Sequence, residues 1–288
     1  MTKADYDDWA WLYDRTLGPD YCKSKLEALD RMILGHLPVG GRVLDLCCGT
    51  GQMLIPIYGR GFQVTGLDIS AEMLNYAKEN APVATLMQGD ARDFELPEQV
   101  DGVVCASASL NHMRNIDELS QVFKSVHNSL KEGGIFVFDI NHHAQMVRHW
   151  VNRPAAGEIA ADYAWMITPR YDATSASGAF RVDMYRRPDH AKKHGTALLR
   201  LLLNRPFLRR FKLAALAKFG IDHPDWDHRG ADYAVYGHDL DAVLHCLKGC
   251  GFDARVETIT GAKEVGENTA AYFICQRRDD ALDLAAAE

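Results

Sequence analysis

Residues 43–53 read Val43-Leu44-Asp45-Leu46-Cys47-Cys48-Gly49-Thr50-Gly51-Gln52-Met53, and the architecture is set by this stretch. An apolar run of strand character enters a Gly-x-Gly turn, and a helical stretch comes next. Glycines at such a turn let the backbone approach a ligand with no Cβ in the way, at the carboxyl end of a strand where open α/β sheets bind their ligands. A bare Gly-x-Gly says little by itself, and a dinucleotide fold would carry a third glycine where this chain has Leu54. The order of the next two strands is more telling. Asp68 closes a second strand in Val64-Thr65-Gly66-Leu67-Asp68-Ile69-Ser70, where a carboxylate can accept both hydroxyls of a ribose. Asp90 closes a third strand in Met87-Gln88-Gly89-Asp90-Ala91, where a carboxylate can accept an adenine amino group.

Outward from this centre, apolar runs at 42–46, 63–67, 84–87, 102–105 and 135–138 alternate with helical stretches such as 71–80 and 117–130. That alternation predicts βαβ units and a parallel sheet covered on both faces. The pattern breaks after Asn141. Residues 157–187 are rich in alternating Tyr, Trp, Ile, Thr and Val around Asp172-Ala173-Thr174-Ser175, which reads as two antiparallel strands and a turn. A basic, leucine-rich stretch comes after them, with Asn204 and Pro206 as a helix start and Gly220 as its stop. A helix near 239–250 and strands near 255–260 and 272–276 restore α/β character. The expected organisation is a sheet domain of residues 1–141 and 237–278, an insertion of residues 142–236, and a frayed tail at 279–288.

Taken in order, these features resemble the class I S-adenosylmethionine-dependent methyltransferases across nearly all of residues 1–141. The resemblance implies an α/β, Rossmann-like fold with a mostly parallel seven-stranded sheet and an inserted antiparallel and helical lid. It implies S-adenosylmethionine as cofactor, with Gly49, Thr50 and Gly51 beneath the methionine moiety and Asp45 anchoring the turn and the amino group. Asp68 would hold the ribose, Ile69 and Met73 would flank the adenine, and Asp90 and Ala91 would meet its edge. Ala106, at the end of the fourth strand, completes the implied cofactor set. Tyr6, Trp9 and Tyr13-Asp14 resemble a Tyr-Asp…Tyr-Asp helix that closes over the cofactor in small-molecule members, with Tyr13 reaching the methionine carboxylate. The i, i+4 spacing of Trp9 and Tyr13 equally suits the core face of an amphipathic helix.

Methyl transfer from a sulfonium is an in-line displacement whose leaving group needs no acid, so the protein must align the reactants and, for some acceptors, remove a proton. After the fourth strand the chain reads Ala106-Ser107-Ala108-Ser109-Leu110-Asn111-His112-Met113. His112 is the candidate general base because imidazole titrates near neutrality, and Asn111 is a candidate for orienting substrate. Both could instead cap the next helix or pack as structure. A proline-proline-aromatic motif typical of amino-directed DNA methyltransferases is missing here, which argues against DNA as substrate. Asp139 and Asn141 invite comparison with metal-assisted methylation, but no carboxylate follows the fourth strand, and His142 and His143 on an extended segment would point apart. No metal is expected. Tyr163, Trp165, Tyr171, Phe180 and Tyr185 are candidates for lining an acceptor pocket or for the core of the insertion.

Bulk properties bound these readings. The 288 residues, 47% hydrophobic and 25% charged, are ordinary for a globular protein. Seven cysteines without a Cys-x-x-Cys pair argue against zinc and against a disulfide framework, and the acidic, aromatic start does not read as a leader, so a cytoplasmic location is expected. Residues 186–218 hold ten Lys and Arg against one acid, Asp189, a local +9 that leaves the rest of the −7 chain at −16. The stretch suits a lid or homodimer helix with solvated charges, or, less favoured, an interfacial helix on an anionic membrane. The expected function is methyl transfer to a small-molecule acceptor at N or O. The rivals are a lipid- or membrane-associated methyltransferase, a catalytically silent S-adenosylmethionine-binding protein, and a nicotinamide enzyme, the last disfavoured by Leu54 and Asp90.

Overall fold

The computed structural model describes residues 5–188 and 208–278. The chain forms two compact units, Met1–His142 with His238–Glu288, and His143–Gly237.

The first unit is built on a seven-stranded sheet of β1 (Arg42–Leu46), β2 (Gln63–Asp68), β3 (Thr85–Gln88), β4 (Val100–Cys105), β5 (Leu130–Ile140), β10 (Phe252–Glu257) and β11 (Ala271–Arg277). Their spatial order is β10-β11-β5-β4-β1-β2-β3. The five strands from β3 to β5 pair in parallel, whereas β11 runs antiparallel to β5 and β10 antiparallel to β11. Alternating strand residues feed two cores. Leu44, Leu46, Phe136 and Phe138 meet Leu119 and Phe123 of α5 (Ile116–Ser129) and Val243 and Leu247 of α8 (Leu240–Gly249). Val43, Val104 and Val137 on the other face meet Leu29 and Met32 of α2 (Leu17–Met32) and Leu54 and Ile57 of α3 (Leu54–Tyr58). Burial on both faces explains why these strands read as continuous apolar runs. The helix starts obey local chemistry: the Met73 N–H donates to Ser70 Oγ at the head of α4 (Ala71–Asn80), and the Glu118 N–H donates to Asn115 Oδ1 at the head of α5. Asn115, not Asn111, is therefore the cap. Among the described residues no helix is long and apolar enough to cross a membrane.

The second unit contains the two expected antiparallel strands and adds two more. It holds a four-stranded antiparallel sheet, β6 (Ala156–Ile159), β7 (Tyr163–Asp172), β8 (Ser177–Arg186) and β9 (Asp227–Tyr236), with helices α6 (His143–His149) and α7 (Arg209–Asp222). The last strand escapes a sequence reading because its first half, Asp227-His228-Arg229-Gly230, is polar and exposed, and only Tyr233 and Val235 are buried. Gly220 does not stop α7, which continues to Asp222. A Cβ at Gly220 would stand 3.0 Å from Tyr185 Oη and 3.2 Å from its Cε1, so glycine there serves close packing on the sheet. The expected helix start at Asn204 and Pro206, and the tail from Asp279, lie outside the described residues.

Candidate functional site

Strand β1 ends in a turn whose backbone is left-handed at Cys47, Gly49 and Gly51, with φ of 60°, 53° and 76°. A Cβ on Gly51 would stand 3.0 Å from both Cα and Cβ of Ala77 in α4, so helix packing forbids a larger residue there. At Gly49 the nearest atom to such a Cβ is Tyr13 Cε1 at 3.6 Å, and the left-handed φ alone makes the demand for glycine. Asp68 binds this turn to the end of β2. The Gly49 N–H donates to its Oδ2 and the Ser70 N–H to its Oδ1, each at 2.8 Å. Each carboxylate oxygen keeps acceptor capacity for a hydroxyl. Burial raises the pKa of Asp68 while the backbone donors pull against it.

Asp45, buried on β1, has its pKa pushed up to about 8, first by burial and then by the charge of Asp68. The folded chain then holds a proton that the unfolded chain loses near pH 4. Stability falls as pH climbs from about 4 to 8, at up to about 1.4 kcal/mol per pH unit. Asp45→Asn is expected to melt close to the parent at pH 4 and well above it at pH 8. Thermal melts across this range check this, and parallel curves for the two proteins would contradict it.

A segment of Asp5–Trp9 and α1 (Ala10–Arg15) clasps the turn. Its acids reach one way. Ser70 Oγ donates to Asp7 Oδ1 at 2.5 Å, while Gln52 Nε2 and Asn80 Nδ2 donate to Asp14 Oδ1 at 2.9 and 2.6 Å. Asn80 Nδ2 also donates to the Thr50 carbonyl at 2.8 Å. Its tyrosines reach the end of β4. Tyr6 Oη lies 2.6 Å from His112 Nε2, and Tyr13 shares a side-chain hydrogen bond with Ser107. Burial is the first cause holding the Tyr13 phenol above its usual pKa, followed by the charges of Tyr21, Asp45 and Asp68. Tyr13, Asp45, Cys47, Thr50, Ala106 and Ser107 thus line one cleft. The Tyr-Asp repeat at 6–7 and 13–14 already pointed to this segment and to Asp14, but the partners Gln52 and Asn80 escaped the sequence reading.

Beyond β4, Ser107 and Ala108 are both left-handed at φ 69° and 57°, a costly backbone for residues other than glycine that needs support from its surroundings. Ser109 Oγ, donating to the Ala106 carbonyl at 3.0 Å, supplies part of it. Asn111 is buried, and its amide closes a clamp on the backbone of Asn141. Its Nδ2 donates to the Asn141 carbonyl at 2.9 Å, and the Asn141 N–H donates to its Oδ1 at 2.8 Å. Asn111→Ala is expected to destabilise the fold by about 1–3 kcal/mol for each Asn141 group left unpaired. Urea unfolding measures this, and an unchanged midpoint would refute the clamp.

The remaining expected residues are dispersed. Ile69 is 53% exposed, Met73 is 2% exposed, and Ala91 belongs to the core. Asp90 is gripped by Arg92, whose Nη2 lies 2.6 Å from Oδ2 and whose Nε lies 3.0 Å from Oδ1; this pairing holds the carboxyl below its usual pKa. Adenine recognition by Asp90 would have to share the carboxylate with that guanidinium. Asp139 forms a buried ion pair with Lys25 Nζ at 2.9 Å, and His142 Nε2 lies 3.1 Å from the Thr269 carbonyl oxygen. Among the described residues no three His, Cys, Asp or Glu side chains cluster as a metal site would need. The site suits a cationic nucleoside: buried Asp68 grips the left-handed glycine turn, and the cleft beside it holds Asp45 and the buried Thr50 Oγ1, which has no hydrogen-bond partner among the described residues.

Comparisons with known proteins point the same way. Residues 43–134 match a family model described as a methyltransferase domain. A phosphatidylethanolamine N-methyltransferase from Cereibacter sphaeroides is 33% identical over 147 residues, 49% of this chain and 67% of that protein. A dTDP-3-amino-3,4,6-trideoxy-alpha-D-glucopyranose N,N-dimethyltransferase from Streptomyces venezuelae is 31% identical over 139 residues, 48% of this chain and 58% of that protein. The chain thus spans little more than half the length of some curated relatives it matches. In fold it resembles the crystal structure of a S-adenosylmethionine-dependent methyltransferase from Clostridium acetobutylicum ATCC 824, with a TM-score of 0.69 at 18% identity over 95% of this chain and 99% of that one.

Proposed function

The chain belongs to the class I S-adenosylmethionine-dependent methyltransferases, and we propose that it methylates the nitrogen of a small polar amine. Bound S-adenosylmethionine supplies an electrophilic methyl group on a sulfonium. The protein's residues do the rest. Asp68 accepts from the ribose hydroxyls while keeping its grip on Gly49 and Ser70, and Asp45 faces the amino group of the methionine moiety. Thr50 and the glycine turn cradle the chain between them.

The observation that carries the acceptor side is the Tyr6–His112 pair, 2.6 Å apart beyond β4. An acceptor amine that arrives protonated must lose its proton before its lone pair can attack. Tyr6 takes that proton as its own passes to His112 Nε2, and His112 is thereby the base. Nitrogen is favoured over oxygen because the named relatives act on amines. A lipid-borne amine is the second reading, favoured by the basic stretch of the insertion. The test supplies methyl-labelled S-adenosylmethionine with nucleotide-linked amino sugars, their hydroxyl counterparts and phosphatidylethanolamine. Label is expected on an amino sugar. Label on the lipid would favour the second reading, and label on hydroxyl counterparts alone would overturn both.

A further inference from the structure

Helix α7 has one face committed to its own unit and one exposed among the described residues. Leu216 and Phe219 pack inward with Ala164, Tyr185 and Trp226, and Arg209 Nη2 donates to the Ala155 carbonyl at 2.7 Å. On the far side Phe211 is 68% exposed and Ile221 is 80% exposed. Ala214 and Lys218 are also exposed and lie between them, so that the four fall within roughly a quarter turn of the helix. Exposed Arg210 borders this stripe. Four cations, Arg209, Arg210, Lys212 and Lys218, precede the first acid of the helix, Asp222.

We propose that this face docks α7 in the plane of an anionic phospholipid surface. Two large apolar side chains held in water between cations make the composition of an interfacial helix, whose apolar tips enter the acyl boundary while Lys and Arg meet the headgroups. A second copy of the chain fits the face poorly, because a twofold contact would press the same cations together. Nucleic acid would use the cations and leave Phe211 and Ile221 nothing to bury. An anionic bilayer answers both the charge and the apolar tips.

Vesicle flotation tests this with phosphatidylcholine alone and with phosphatidylcholine containing phosphatidylglycerol. The protein is expected to float only with the anionic vesicles. It should be released on raising salt from about 0.1 M to about 1 M, which shortens the screening length from roughly 10 to 3 Å. Each basic residue near such a surface strengthens binding about fivefold, so Arg210→Glu with Lys218→Glu is expected to weaken partitioning by at least about 25-fold. Phe211→Ser with Ile221→Ser is expected to weaken it roughly tenfold and leave the salt dependence in place. Unchanged circular dichroism and S-adenosylhomocysteine affinity would show that the variants are folded. Several results would overturn the proposal: no flotation, equal flotation on neutral vesicles, or flotation indifferent to both double variants. So would conversion of a dimer to a monomer by Phe211→Ser without flotation, or retardation by duplex DNA in place of vesicle binding.

Discussion

Replacing Asp68 with alanine is expected to weaken S-adenosylhomocysteine binding by about 3 kcal/mol or more, a hundredfold or greater loss. Two effects combine. The ribose loses a charged double acceptor, and the Gly49 and Ser70 N–H groups lose the carboxylate that holds the glycine turn against the end of β2. Asp68→Asn distinguishes this from a simple loss of charge. The two backbone donors sit on different oxygens, so an amide can offer its carbonyl to only one and must turn its NH₂ toward the other. The asparagine variant is therefore expected to bind nearly as poorly as alanine in calorimetric titrations. Affinity within a few-fold of the parent in both variants would remove Asp68 from the site.

His112→Ala is expected to lower turnover of a protonated amine acceptor by roughly 10²–10⁴-fold, the usual worth of a positioned base. Cofactor affinity should stay the same, because His112 is not among the residues that line the cleft of Asp45 and Thr50. Tyr6→Phe breaks the 2.6 Å link through which that proton passes and is expected to lower turnover by a similar factor, with the double variant no worse than either single one. Single-turnover rates with saturating cofactor measure both. Independent, multiplying losses would show that the pair is not one relay. A rate for His112→Ala within a few-fold of the parent would sink the base assignment without touching cofactor binding.

What could be read from the sequence was what local chemistry controls. Buried parallel strands had to be continuous apolar runs, and the turn after Leu46 had to be glycine-rich, because both demands act within a few residues. Asp45, Thr50, Ala106 and Tyr13 do line one cleft, and Asp68 does grip Gly49. The misreadings share a cause in partners distant along the chain. Asn111 is spent on Asn141, thirty residues away, and nothing beside it announces that clamp. Gly220 resembles a helix stop because its need for space comes from Tyr185 on a strand of the sheet. Asp7 and Asp14 find Ser70 and Asn80 more than sixty residues on. Strand β9 hides because an exposed edge needs no apolar alternation. The pairing of Asp90 with Arg92, by contrast, joins residues two apart and could have been foreseen from the sequence.

The cofactor assignment can be tested without knowing the acceptor, by equilibrium binding of labelled S-adenosylmethionine to the intact chain with S-adenosylhomocysteine and NAD as competitors. One cofactor per chain is expected, displaced by S-adenosylhomocysteine and untouched by NAD, because the turn carries Leu54 in place of a third glycine. No saturable binding, or displacement by NAD at comparable concentration, would contradict it.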